Sequence, residues 1–221
     1  MLRNKHLMMV ALAAVSAGSI AMGGSSLSHD ETASPNEVFS FVATQAYLVG
    51  EPTGTDRFQY DGESINPVHG GIVASLNPST NSGSIVASFF YEGDSYLMIA
   101  DRFDRIVTNV ELHGQTGMGP EVLPRVFSQI ATFGPASVWK NGELLYEDIP
   151  AHLMLTESVR DEVTHRVDFR GPRNIASYPG SVANPYDNQV HFVVHTDDNA
   201  PGHFPPNSWF AHFMADVVTV N

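Results

Sequence analysis

The tetrapeptides "AHLM" (151–154) and "AHFM" (211–214) each place a histidine two residues before a methionine. Residues two apart on a strand share a face, about 6–7 Å apart along it. His152 and Met154 then share one face, as do His212 and Met214, while Ala151, Leu153, Leu155, Ala211, Phe213 and Ala215 point the other way. If the two strands are neighbours, directly opposed residues come within about 5 Å, and two imidazoles and two thioethers meet at one spot. Nitrogen and soft sulfur donors hold copper in both oxidation states, whereas magnesium and calcium want oxygen and zinc gains little from a thioether. Copper is therefore the ion expected from this ligand set. The competing account is structural: methionine fills irregular cores, and a half-buried histidine commonly bonds a backbone carbonyl.

Other residues add to the candidates. His191 and His195 in "HFVVHT" would chelate together on a helix, but on a strand they stand about 13 Å apart, so only one of them would join a cluster. His69, His113 and His203 lie beside turns rich in glycine or proline. The chain has no HExxH, no GxSxG and no P-loop, and "GQTGMG" (114–119) has the wrong glycine spacing for a dinucleotide site. The segment "TESVRDEVTHRVDFR" (156–170) reads as a solvated, ion-paired face, with Glu157 or Asp161 as alternative partners that would orient a metal-bound histidine.

The elements that must position these residues are short runs of Val, Ile, Phe and Tyr between clusters of Gly, Pro, Asn and Asp. Strands are expected over 38–49, 70–76, 84–91, 95–100, 105–113, 136–140, 143–147, 151–156, 189–196 and 208–220. Asn141-Gly142 between two apolar runs predicts a type I′ hairpin, whose central residues need positive φ. "NPSTNSGS" (77–84) and "YEGDS" (91–95) predict further turns. Only 120–130 and 156–166 have the makings of a short helix. Many short strands with frequent turns predict an all-β protein, an antiparallel β-sandwich or barrel.

Two segments resemble CHRD domains, the β modules of chordin and of many bacterial exported proteins. "VELHGQTGMGPEVLP" (110–124) looks like their histidine-glycine turn, and "VVHTDDNAPGHF" (193–204) is similar to their Val-His-Thr stretch leading into a Pro-Gly turn. The resemblance covers about a third of the chain. It implies an immunoglobulin-like or superoxide-dismutase-like sandwich, with His113 and His195 as the matching histidines. The chain departs from the pattern after the late turn, where "HFPPNSWFAHFM" replaces a Gly-Glu-hydrophobic-Arg-Gly run, and in the insertion over 133–188 that contains "AHLM".

The beginning of the chain reads as a secretory signal. Arg3 and Lys5 precede an apolar run from Leu7 to Met22, and small residues allow cleavage after Ala17 or Ala21. The organisation expected is a signal over 1–21, a flexible leader over 22–36 and a single β domain over 37–221, secreted or periplasmic. No other stretch is long and apolar enough for a bilayer, which needs about 20 such residues, so no membrane insertion is expected after cleavage. With no cysteine, neither a disulfide nor a thiolate is available. Removing Arg3 and Lys5 with the signal takes the formal charge from −13 to −15, which argues against nucleic acid as a partner. Three functions fit: a copper-binding protein using His152, Met154, His212 and Met214, with His113 and His195 next; a CHRD-like module without metal that binds another exported protein; and a copper or iron oxidative enzyme, one form of which would use an amino-terminal His29.

Overall fold

The structure, a computed structural model, describes residues 38–55, 60–113, 126–167, 187–203 and 205–220. The expected signal and leader, the "GQTGMG" segment and most of the first CHRD-like stretch lie outside these residues. Among the described residues ten strands follow one another: β1 (Phe39–Val49), β2 (Ile65–Pro67), β3 (His69–Asn77), β4 (Ser82–Tyr91), β5 (Asp94–Ala100), β6 (Arg105–Leu112), β7 (Val126–Lys140), β8 (Glu143–Glu157), β9 (Asn188–His195) and β10 (Phe210–Val220). All pairings are antiparallel, and the order β1-β3-β4-β5-β7-β8-β9-β10 closes because β10 pairs with β1 from Phe41↔Val220 to Leu48↔Phe213. The protein is an eight-stranded antiparallel barrel, with β2 added to β1 and β6 added to β7. Its barrel strands run as a meander, without the Greek-key connection of immunoglobulin-type sandwiches.

Period-two alternation explains the closure. Phe41, Ile72, Leu76, Ile85, Phe89, Met98, Val138, Leu153, Leu155, Phe192, Val194 and Phe213 form one buried cluster, contributed by alternate residues of all eight barrel strands. Their side chains fill the barrel, so it encloses a core rather than a ligand.

Turn chemistry sets the registers. Asn141 and Gly142 have φ of 53° and 80°, the signature of the expected type I′ turn, and Lys140 faces Glu143 across it. Glu92 and Gly93 repeat the device at 51° and 85°. Asn77 Oδ1 accepts from the backbone N–H of Ser79 and Thr80 at 3.0 and 3.2 Å, holding the turn at the end of β3.

The described parts of the two helix candidates are not helical, and 120–125 of the first lies outside the described residues. Residues 126–130 are the start of β7, and 156–166 is the end of β8 followed by a turn at 162–164. Strand pairing prevails in both because each run has an extended partner: Ser128 and Ile130 face Thr156 and Leu155. The separate runs 143–147 and 151–156 belong to one strand that continues through Pro150, which lies opposite Pro135. At Gly134, beside this paired-proline corner, an added Cβ would lie 2.6 Å from the Arg102 carbonyl oxygen. Past that point in the chain β7 exchanges β6 for β5 as its neighbour.

Candidate functional site

The outer face of β8, β9 and β10 is covered rather than solvated. On β9, Val190, Phe192 and Val194 face the core, so Gln189, His191, Val193 and His195 face outward, and the first three of these are also buried. The cover is the segment after β8. Gln189 fastens it: its Oε1 accepts from Val159 N and Arg160 N at 2.9 and 3.2 Å, while its Nε2 donates to Asp216 Oδ1 at 2.9 Å. Arg160 bridges Val167, Arg160 Nη1 donates to the His165 carbonyl at 2.8 Å, and Val167 N donates to the Tyr60 carbonyl at 2.8 Å. Asp161 accepts from Val163 N, Thr164 N and Thr164 Oγ1, shaping the turn. The solvated, ion-paired face expected here is thus corrected: Val159, Arg160 and Val167 are buried because they roof the sheet. Of the two acidic partner candidates, Glu157 accepts from Phe127 N, and Asp161 holds its own turn, its carbonyl accepting from His165 N.

The two tetrapeptides do not pair with each other. β9 lies between them, with His152 and His212 both opposite Val193, and Met154 and Met214 both opposite His191. Two strand spacings, about 10 Å, therefore separate the strands that carry the motifs. Met214 leaves the group, packing with Tyr47 and Val49, whereas Met154 packs against Leu112, Val126 and Val159.

What the fold assembles instead is a histidine cavity of about 280 Å³ between sheet and cover. His113, His152, His191, His195 and His212 line it, five of the ten histidines in the chain, together with Met154, Arg160, Val193, Asn207 and Phe210. His152 and His195 also line an adjoining open cleft of about 630 Å³ with Arg102, Asp104 and Asp148, so they stand where the cavity meets the surface. His191 and His195 lie four residues apart on β9, as expected for a strand, and both line the cavity that runs along it. His113, the last described residue before 126, has φ of 63° as β6 ends.

The tautomers follow from the partners. His195 Nδ1 lies 2.9 Å from the Thr196 carbonyl, which only accepts, so Nδ1 carries the proton and Nε2 keeps the lone pair. Asn207 Nδ2, 3.3 Å from the same nitrogen, donates instead to that carbonyl. His191 Nδ1 and His212 Nε2 are 3.2 Å apart, and the outward nitrogens of this pair, His191 Nε2 and His212 Nδ1, are buried without a hydrogen-bond partner. Whichever ring donates, one N–H and one lone pair are left over.

Burial decides the charge of these rings. It pushes His152 and His191 down to about 3, with His113 and His195 adding to the effect at His152 and Arg160 at His191. It drives His212 well below the ordinary value too, aided by His191 and Arg160. All three are neutral at neutral pH, the form in which imidazole binds a metal. Among the described residues, no three His, Asp or Glu side chains are placed to hold one ion together.

No family model matches the chain, and no curated protein or solved structure shows significant similarity to it.

Proposed function

We propose that this protein binds a transition metal, copper first, in the cavity between the β8–β9–β10 face and the 158–167 cover. The paired donors are His191 and His212, not the two tetrapeptides acting together. The observation that carries this is the separation of 3.2 Å between His191 Nδ1 and His212 Nε2. Two nitrogens bound to one tetrahedral ion at about 2.0–2.1 Å stand roughly 3.3 Å apart, so the facing nitrogens already have this spacing, and to ligate with both the donor ring must move its bridging proton to its other nitrogen as the rings rotate. Both rings are neutral, and Met154 lines the same cavity, which favours copper(I) with its taste for thioether and low coordination number. His195, with Nδ1 donating to a carbonyl, has the arrangement that commonly orients a ligating Nε2. His152 and His113 complete the set of imidazoles on the walls.

The test is an anaerobic copper(I) titration of the untagged protein with elemental analysis of the same preparation. His191→Ala and His212→Ala are each expected to weaken copper by at least about tenfold. Copper binding unchanged in both variants overturns the proposal.

A further inference from the structure

Four histidines surround one valine on the outer face of β8, β9 and β10. His152 and His212 stand opposite Val193 on either side, and His191 and His195 stand two residues before and after it on β9. His191 and His212 are bonded to each other. His195 uses only Nδ1, and its Nε2 makes no hydrogen bond. The enclosed polar side-chain atoms that lack a partner belong to Thr156, His165, His191 and His212, so the His195 lone pair is not sealed in but opens onto the space that this ring lines. The walls around it are aromatic and aliphatic. His195 stacks on Phe210 with ring centroids 5.7 Å apart, and Met154, Val159 and Val193 line the interior. Burial keeps His152, His191 and His212 neutral. Arg160 brings no spare charge: its Nη1 donates to the His165 carbonyl at 2.8 Å, and the carboxylates of Asp216 and Asp61 act on its guanidinium.

We infer that the cavity binds a small neutral phenol, its ring resting on Val193 beside Phe210 and its hydroxyl donating to His195 Nε2. An apolar site with one well-placed polar group selects a ligand of the same make-up. The Thr196 carbonyl fixes the proton of His195 on Nδ1, so Nε2 can only accept, and the ligand must supply the donor. A phenolic O–H does so and, with a pKa of about 10, keeps its proton at neutral pH. A charged ring would have to leave water for walls without an uncompensated counter-charge, which is costly. Val193 and His195 share a face about 6–7 Å apart, the reach of a ring and its hydroxyl. The size fits as well. An apolar cavity of about 150 Å³ holds one benzene, and the roughly 280 Å³ here leaves room for a substituted ring. The cleft shared through His152 and His195 provides the way in. This inference does not rest on metal binding, and its test uses metal-stripped protein so that the two fail separately.

The experiment is calorimetric titration of the chelator-treated full chain with phenol, with anisole, whose oxygen has no proton to donate, and with benzoate and benzylamine as charged counterparts. Phenol is expected to bind saturably and the other three at least about tenfold more weakly. His195→Phe, at a half-buried position, keeps a ring beside Phe210 but removes the acceptor, and is expected to bind phenol and anisole alike. Val193→Phe, which fills the cavity, is expected to abolish phenol binding with an unchanged circular dichroism spectrum. Should Val193→Phe fail to fold, the ligand series and His195→Phe still decide. No phenol binding, or anisole or a charged ring binding as tightly as phenol, would overturn the inference. So would a preference for phenol that survives His195→Phe, or a folded Val193→Phe that binds phenol like the unaltered chain.

Discussion

The His191–His212 pair makes a prediction whose sign is unusual for a buried hydrogen bond. In the metal-free protein the pair makes one bond at 3.2 Å and strands two buried nitrogens, His191 Nε2 and His212 Nδ1. His212→Phe removes one stranded nitrogen but strands His191 Nδ1 in its place, so the count stays at two and the bond is lost. The cost is that of a hydrogen bond, about 1 kcal/mol. Replacing both rings by phenylalanine removes every stranded nitrogen. At about 1.5 kcal/mol each, within the usual penalty for a buried unsatisfied group, and less about 1 kcal/mol for the lost bond, the double variant gains roughly 2 kcal/mol over the unaltered protein. For a domain of 150–250 residues each kcal/mol moves the melting temperature by about 2–4 °C, so the single variant melts about 2–4 °C lower and the double variant about 4–8 °C higher. Calorimetric melts in the presence of a chelator measure both. Added copper(I) should raise the melting temperature of the unaltered protein, as any ligand of the native state does, and leave the double variant where it was. A double variant less stable than either single one would refute the reasoning, since it would mean that the pair is held as packing with its nitrogens satisfied. A functional site that lowers stability is a familiar trade.

Acid should loosen the cover. His152 and His191 sit near 3 when folded against about 6.5 unfolded, so the unfolded chain gains protons first as pH falls. Their contribution is therefore whole above about pH 6.5 and drains away toward pH 3, at about 1.4 kcal/mol per pH unit for each ring; urea melts giving the same stability at about pH 7.5 and pH 5 would contradict this. Met154→Leu should weaken copper(I) more than copper(II) while Met214→Leu, whose side chain packs with Tyr47 and Val49, leaves copper unchanged; competition titrations distinguish them. Leu153→Ala, at a fully buried barrel position, should cost about 2–5 kcal/mol in chemical denaturation without altering copper affinity.

Much of the barrel was legible in the sequence because its determinants are local. A side-chain period of two marks a strand wherever one face is buried, and the runs around Phe41, Ile72, Phe89, Phe192 and Phe213 all carry it. Asn141-Gly142 names its own turn, since few other pairs accept positive φ twice. Strand ends that rest on partners were not legible: β2 and the first half of β7 exist because β1, β6 and β8 pair with them, and the Ser128 hydroxyl, bonded to the carbonyls of Ile130 and Leu155, lies near the end of the 120–130 run expected to be helical.

By itself the sequence determined the residue chemistry of the site and the face on which each residue stands: His152 with Met154, His212 with Met214, and His191 with His195, all opposite core residues. Only the tertiary structure decided which strands are neighbours. It placed β9 between the two tetrapeptides, joined His191 to His212 and sent Met214 to another cluster. It also turned "SVRDEVTHRV" from a surface into a roof, through one glutamine side chain 29 residues from Arg160. The physical reason is that facing is fixed by the alternation of a single strand, whereas adjacency and cover depend on contacts between residues far apart in the chain. The cost of closing those loops grows only slowly with their length, so sequence distance carries little information about which partner prevails.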